Sequence, residues 1–272
     1  MESAAESSKL VLLSNFLASQ LLSVSLESLW GAIEAQQLMI LLPLCDVVLP
    51  SNTISYFESI FSLASFAIDS AVGNTSESIL GLEASAPFKQ NFEELEISSI
   101  YTLTNMGTMT LVYLSFPLLV LLQMAIGKWC KQRHLKAYRV NKSLKRSLYF
   151  SYVLRATYEG YSVIALSTMI GLTAMSYDSF GLTVQAVFSL VSLCLLVIGP
   201  YLLLAFLAAN FNNLTASKFK QRFGTFYENL RLATGRKVLL HPGFFLFRRL
   251  VLTFALVVFR DNFFAQLVMI WL

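Results

Sequence analysis

Charge is scarce in this sequence. Only 13% of its 272 residues are Asp, Glu, Lys or Arg, against roughly a quarter in an average soluble domain. A water-soluble fold of this size needs a polar shell, and there is too little charge to build one. Cysteine is scarce too. Cys45, Cys130 and Cys194 are the only three, far apart and without metal-ligand spacing, so neither a disulfide framework nor a zinc site is expected. Cys45 and Cys194 read as small buried hydrophobes, while Cys130, among basic residues after an apolar run, is a candidate for palmitoylation. Histidine is limited to His134 and His241. No phosphate loop and no Ser/His/Asp grouping is present, so no enzymatic activity and no cofactor is expected. Residues 1–9 are acidic and serine-rich, unlike the basic start of a signal peptide.

Apolar residues fill the place of what is missing. They make up 56% of the chain, and mean hydropathy is +0.63. A membrane crossing takes about 20 apolar residues. Runs of that kind predict segments at about 10–24, 29–49, 97–126, 148–175, 182–209 and 244–259. A further segment, 263–272, stops inside an apolar run and reads as truncated, so the chain is expected to be a fragment or an incomplete gene model. The expected fold is therefore all-α: a polytopic transmembrane helix bundle of about seven membrane segments, the last truncated. Residues 10–49 read as a hairpin turning near Ser25, Glu27 and Ser28. One long helix is the alternative.

The loops divide by sign. Residues 128–146 hold eight cations, Lys128, Lys131, Arg133, Lys136, Arg139, Lys142, Lys145 and Arg146, and no acid. Residues 211–241 carry Lys218, Lys220, Arg222, Arg231, Arg236 and Lys237 against Glu228. Residues 51–96 reverse the pattern, with Glu58, Asp69, Glu77, Glu83, Glu93, Glu94 and Glu96 against Lys89. Cytoplasmic loops are enriched in Lys and Arg. The two basic loops are therefore expected in the cytoplasm, and the 51–96 loop and the link at 177–179 outside. Asn74 opens an Asn-Thr-Ser glycosylation acceptor on that outer loop. Residues 52–68 are amphipathic at helical spacing, suited to a membrane surface or to the top of the bundle.

Ionisable residues at membrane depth are costly and therefore informative. Glu34, with Asp46 near the outer end of the same segment, is a candidate for a cation pathway. An interfacial position or a partner inside the bundle is the plainer reading. Arg155 and Glu159 stand four apart, as an intramembrane ion pair would, or sit together at the cytoplasmic end. Arg248 and Arg249 open a segment, as interfacial anchors or as contacts to lipid phosphates. Gly160, Gly171 and the pair Gly199 and Pro200 suit close helix packing or a kink. The partners this implies are the lipid bilayer, anionic cytoplasmic lipids and cations. A homo-oligomer is compatible with the sequence, and nucleic acid is not expected.

The stretch from Leu29 to Leu38, LWGAIEAQQL, continuing through Leu42-Pro43-Leu44 and Leu49-Pro50-Ser51-Asn52, resembles the first membrane block of large multi-pass surface proteins of ciliates. The stretch from Phe223 to Leu230, FGTFYENL, followed by Phe247-Arg248-Arg249-Leu250, resembles a later signature of the same proteins. The plan is also similar to the TRP-like C-terminal domain of fungal membrane proteins. The resemblance implies TRP-like cation channel or transport activity in an integral membrane of the cell surface or endomembranes. It transfers no pore residue, because no selectivity-filter motif is recognisable. A non-conducting anchor for an extracellular domain is the alternative.

Overall fold

The computed structural model describes residues 41–46, 50, 52–57, 75, 77–82, 88, 89, 92, 97, 99–131, 152–216, 219, 222–227, 230 and 235–271. Six helices carry the fold: α1 (Thr102–Lys131), α2 (Val153–Glu159), α3 (Tyr161–Thr173), α4 (Phe180–Ala209), α5 (Leu240–Val258) and α6 (Phe263–Trp271). No strand occurs among the described residues. Among the described residues three stretches are long and apolar enough to cross a membrane: Met109–Lys128, Phe180–Ala209 and Arg236–Val258.

That is fewer than the seven segments expected. The predicted segment 148–175 is divided at Gly160, where the backbone leaves the helix between α2 and α3. The predicted segment 263–272 is represented by the nine-residue α6, about 13 Å long at 1.5 Å per residue. The predicted segment 10–24 and most of 29–49 lie outside the described residues, as does most of the acidic 51–96 loop.

The bundle is built around α3. Nine of its thirteen residues are buried, as expected of a helix that is apolar on every side and enclosed by neighbours. It packs on α1, α4 and α5. Gly171 of α3 faces Thr102 of α1, and Gly160 faces Met109, so α1 runs antiparallel to α2 and α3. Ser189 lies near Gly171 and Leu196 near Tyr161, so α4 is antiparallel as well. Leu246 shares a buried cluster with Tyr161 and Ile164, and Leu256 shares another with Met169 and Ile170. By that order α5 runs parallel to α3.

Helix α4 presents an apolar outer face, including Val187, Val191, Leu195, Ile198 and Leu202. On α1, Leu114, Leu118, Leu121 and Leu122 do the same. Water would penalise an apolar surface this continuous, whereas hydrocarbon accepts it.

Pro200 sits inside α4. Proline has no N–H, so the carbonyl four residues earlier, that of Leu196, loses its helical donor. The Tyr161 hydroxyl supplies the replacement, donating to Leu196 O at 2.8 Å. A break in one helix is thus closed by a side chain from the central one.

At the far end of α4 the described residues of the 211–241 stretch fold back as an aromatic plug. Phe206 contacts Phe219 and Phe223, with ring centroids 5.8 and 4.8 Å apart. Tyr227 is buried and donates to Leu214 O at 2.9 Å. Phe223, Phe226 and Tyr227, noted in the sequence as part of an aromatic signature, therefore close this end of the bundle.

Candidate functional site

Among the buried polar side chains of the described residues, two groups are candidates: a seam between α1, α3 and α4, and an arginine on α5.

The seam begins at the 174–179 end. Gly171 has no side chain, and that lets Thr102 and Ser189 meet beside it. The Thr102 and Ser189 hydroxyls are 2.6 Å apart. Ser189 also donates to Gln185 O at 2.8 Å. A hydroxyl has one proton, so Thr102 donates to Ser189. Gln185 Oε1 accepts from the Leu103 N–H at 3.2 Å, satisfying one of the orphan donors in the first turn of α1. Ser192 and Thr168 continue the buried polar set.

An added methyl at Gly171 would collide with the Thr102 side chain and approach Ser189 Oγ to 2.9 Å. At Gly160 the obstacle is the Met109 thioether, 2.5 Å away, which is flexible and can move aside. Gly171→Ala is therefore expected to destabilise the fold by about 1–3 kcal/mol through overpacking. Gly160→Ala should stay within about 1 kcal/mol, because the negative φ at residue 160 suits alanine, and the entropy this removes from the unfolded chain offsets the shift of Met109 and the 3.0 Å approach to Ala156 O. Thermal unfolding in detergent distinguishes the two.

Arg249 lies nine residues from each end of α5. It is 2% exposed, and its guanidinium stacks on the Phe245 ring at 4.1 Å, a favourable cation–π geometry. Phe245 in turn stacks on Tyr158 of α2, with centroids 5.6 Å apart. The arginine is thus held between α5 and the central helices. Arg248, its neighbour in sequence, is exposed. The two arginines, read together in the sequence as interfacial anchors or as lipid-phosphate contacts, have opposite environments. Successive helical residues are 100° apart, which turns one outward and the other into the core. A side chain buried like that of Arg249 presents no surface to a lipid headgroup.

Asp46, the other end of the expected cation pathway, is engaged in a clasp. Lys89 Nζ donates to Asp46 Oδ1 at 2.6 Å and to Arg260 O at 2.7 Å, and Asp261 lies 3.9 Å away. The Asp46 N–H donates to Gln266 Oε1 at 2.9 Å, and the Arg260 guanidinium lies 5.2 Å from the Phe88 ring. Two loop segments are thereby tied to the turn between α5 and α6. Lys89 and Asp46 are 23% and 40% exposed, so solvent screens the pair. The Lys89→Met and Asp46→Asn double-mutant cycle should give a coupling of at most about 1 kcal/mol, falling with salt.

Glu34 and Asn74 lie outside the described residues. Arg155 and Glu159 both fall on α2, four residues apart; their side chains lie outside the described set. Among the described residues no group of His, Cys, Asp and Glu is arranged to hold a metal ion. The seam was missed in the sequence, although Gln185, Ser189 and Ser192 stand at helical spacing inside an apolar run, which is a legible polar stripe.

A comparison with protein-family models gave no match, and searches of curated proteins and of solved structures gave none either.

Proposed function

We propose that this chain is a multi-pass membrane domain of the channel or transport type, TRP-like as its sequence resemblance implies, residing in the plasma membrane or an endomembrane. The observation that carries the reading is Arg249. An ionisable side chain near the middle of a membrane-length stretch, turned into the bundle, is costly and usually functional. A fixed positive charge on a cation path would repel the ion, so Arg249 belongs to the gating wall rather than to the conduit. Glu34 is the proposed cation-facing residue.

The test is conductance of the full chain reconstituted in a planar bilayer. Cation-selective steps are expected. Glu34→Gln should lower cation permeation, and Arg249→Gln should change opening and leave selectivity unaltered. Silence across voltages, lipids and calcium levels, in protein verified as folded, would favour the second reading, a non-conducting anchor or signalling module.

A further inference from the structure

The cleft between α1, α3 and α4 has an unused donor in its wall. Gln185 is 5% exposed, and its Nε2 is buried with no hydrogen-bond partner. The orientation of this amide is fixed by chemistry. Its Oε1 must face the Leu103 N–H, because a flip would set two donors against each other. The Nε2 is therefore committed to the other side. Leaving such a group dry costs about 1–3 kcal/mol, and Gln185, together with Thr102, Gly171 and Ser189, lines a cavity the size of one water.

The acceptors a water needs are also present. Thr102 spends its proton on Ser189 and keeps lone pairs. The last turn of α3 ends at Thr173; Ile170 O already accepts from the Thr173 hydroxyl at 2.7 Å, and the carbonyl of Gly171, which lines the cleft, has no helical donor. A buried water makes two to four hydrogen bonds to otherwise unsatisfied groups. The geometry points to one ordered water in this cleft, accepting from Gln185 Nε2 and donating toward Thr102 Oγ1 and the C-terminal turn of α3. It joins three helices at the point where Gly171 lets them approach. The inference is independent of whether the domain conducts.

Gln266 provides an internal control. It is 0% exposed, but its Nε2 donates to Leu256 O at 3.4 Å. In water-edited solid-state NMR of the full chain in lipid bilayers, with ¹⁵N-labelled glutamine, the Gln185 side-chain signal should gain magnetisation from water. The gain should be faster than at Gln266, whose amide is already bonded within the protein, if a water sits at the Gln185 amide. Equal build-up at the two would overturn the assignment. Gln185→Met identifies the signal by its loss. If that variant does not fold, the chain's single Gln–Ala pair, Gln185–Ala186, identifies it in the unaltered protein.

Discussion

Arg249→Ala is expected to destabilise the folded protein by about 3–5 kcal/mol, the range for truncating a large buried side chain. Arg248→Ala, one residue away, should change stability by no more than about 0.5 kcal/mol, as an exposed substitution does. The contrast follows from burial. Arg249 is among the largest fully buried side chains of the described chain. Its removal empties the space beside Phe245 and ends the stacking at 4.1 Å. Arg249→Lys keeps the charge but loses the planar guanidinium that lies on the ring, so it should recover only part of the loss. Thermal unfolding in matched detergent micelles measures all three variants. Equal sensitivity at 248 and 249 would mean that α5 is rotated about its axis relative to the rest of the bundle.

Tyr161→Phe should cost about 1–3 kcal/mol, because it leaves the buried Leu196 carbonyl without a donor. The cause lies at a distance in sequence, at Pro200, whose missing N–H created the vacancy. The expectation is therefore conditional. In a Pro200→Ala background the residue-200 N–H is restored, and Tyr161→Phe should cost distinctly less. The double-mutant cycle isolates that coupling, again by unfolding in detergent. Additive effects would show that the 2.8 Å contact between Tyr161 and Leu196 does not compensate the proline.

The parts of this fold that were legible in the sequence are those governed by solvent preference. The apolar runs mark α1, α4 and α5 to within several residues at their ends, because hydrocarbon selects long apolar helices. Gly160 and Gly171 were correctly suspected as points of close approach. Gly199 has nothing within 4 Å of an added Cβ, and the pairing of Pro200 with Tyr161 depends on a helix 39 residues away. Hydropathy alone did not reveal the break at Gly160, since a crossing can be interrupted without becoming polar.

The polar sites were less legible because they arise between helices. Gln185, Ser189 and Ser192 form a stripe on α4, but its meaning depends on which residues of α1 and α3 face it. Thr102 and Gly171 are 69 positions apart and meet only after α1 and α3 pack. The arginine pair shows the same limit. Sequence placed both residues at the start of a segment, whereas α5 begins at Leu240, which puts them near its middle on different faces.

The account rests above all on the chain crossing a membrane with its basic loops inside. Cysteine labelling tests this directly, in a background with Cys45, Cys130 and Cys194 replaced by alanine. One cysteine is placed at the exposed Tyr177, in the link between α3 and α4, and another at the exposed Lys237, before α5. In sealed, right-side-out membrane vesicles, a membrane-impermeant maleimide should label position 177 at once and position 237 only after permeabilisation. Labelling of both positions before permeabilisation would contradict the account, because it would place the two ends of α4 on the same side of the membrane.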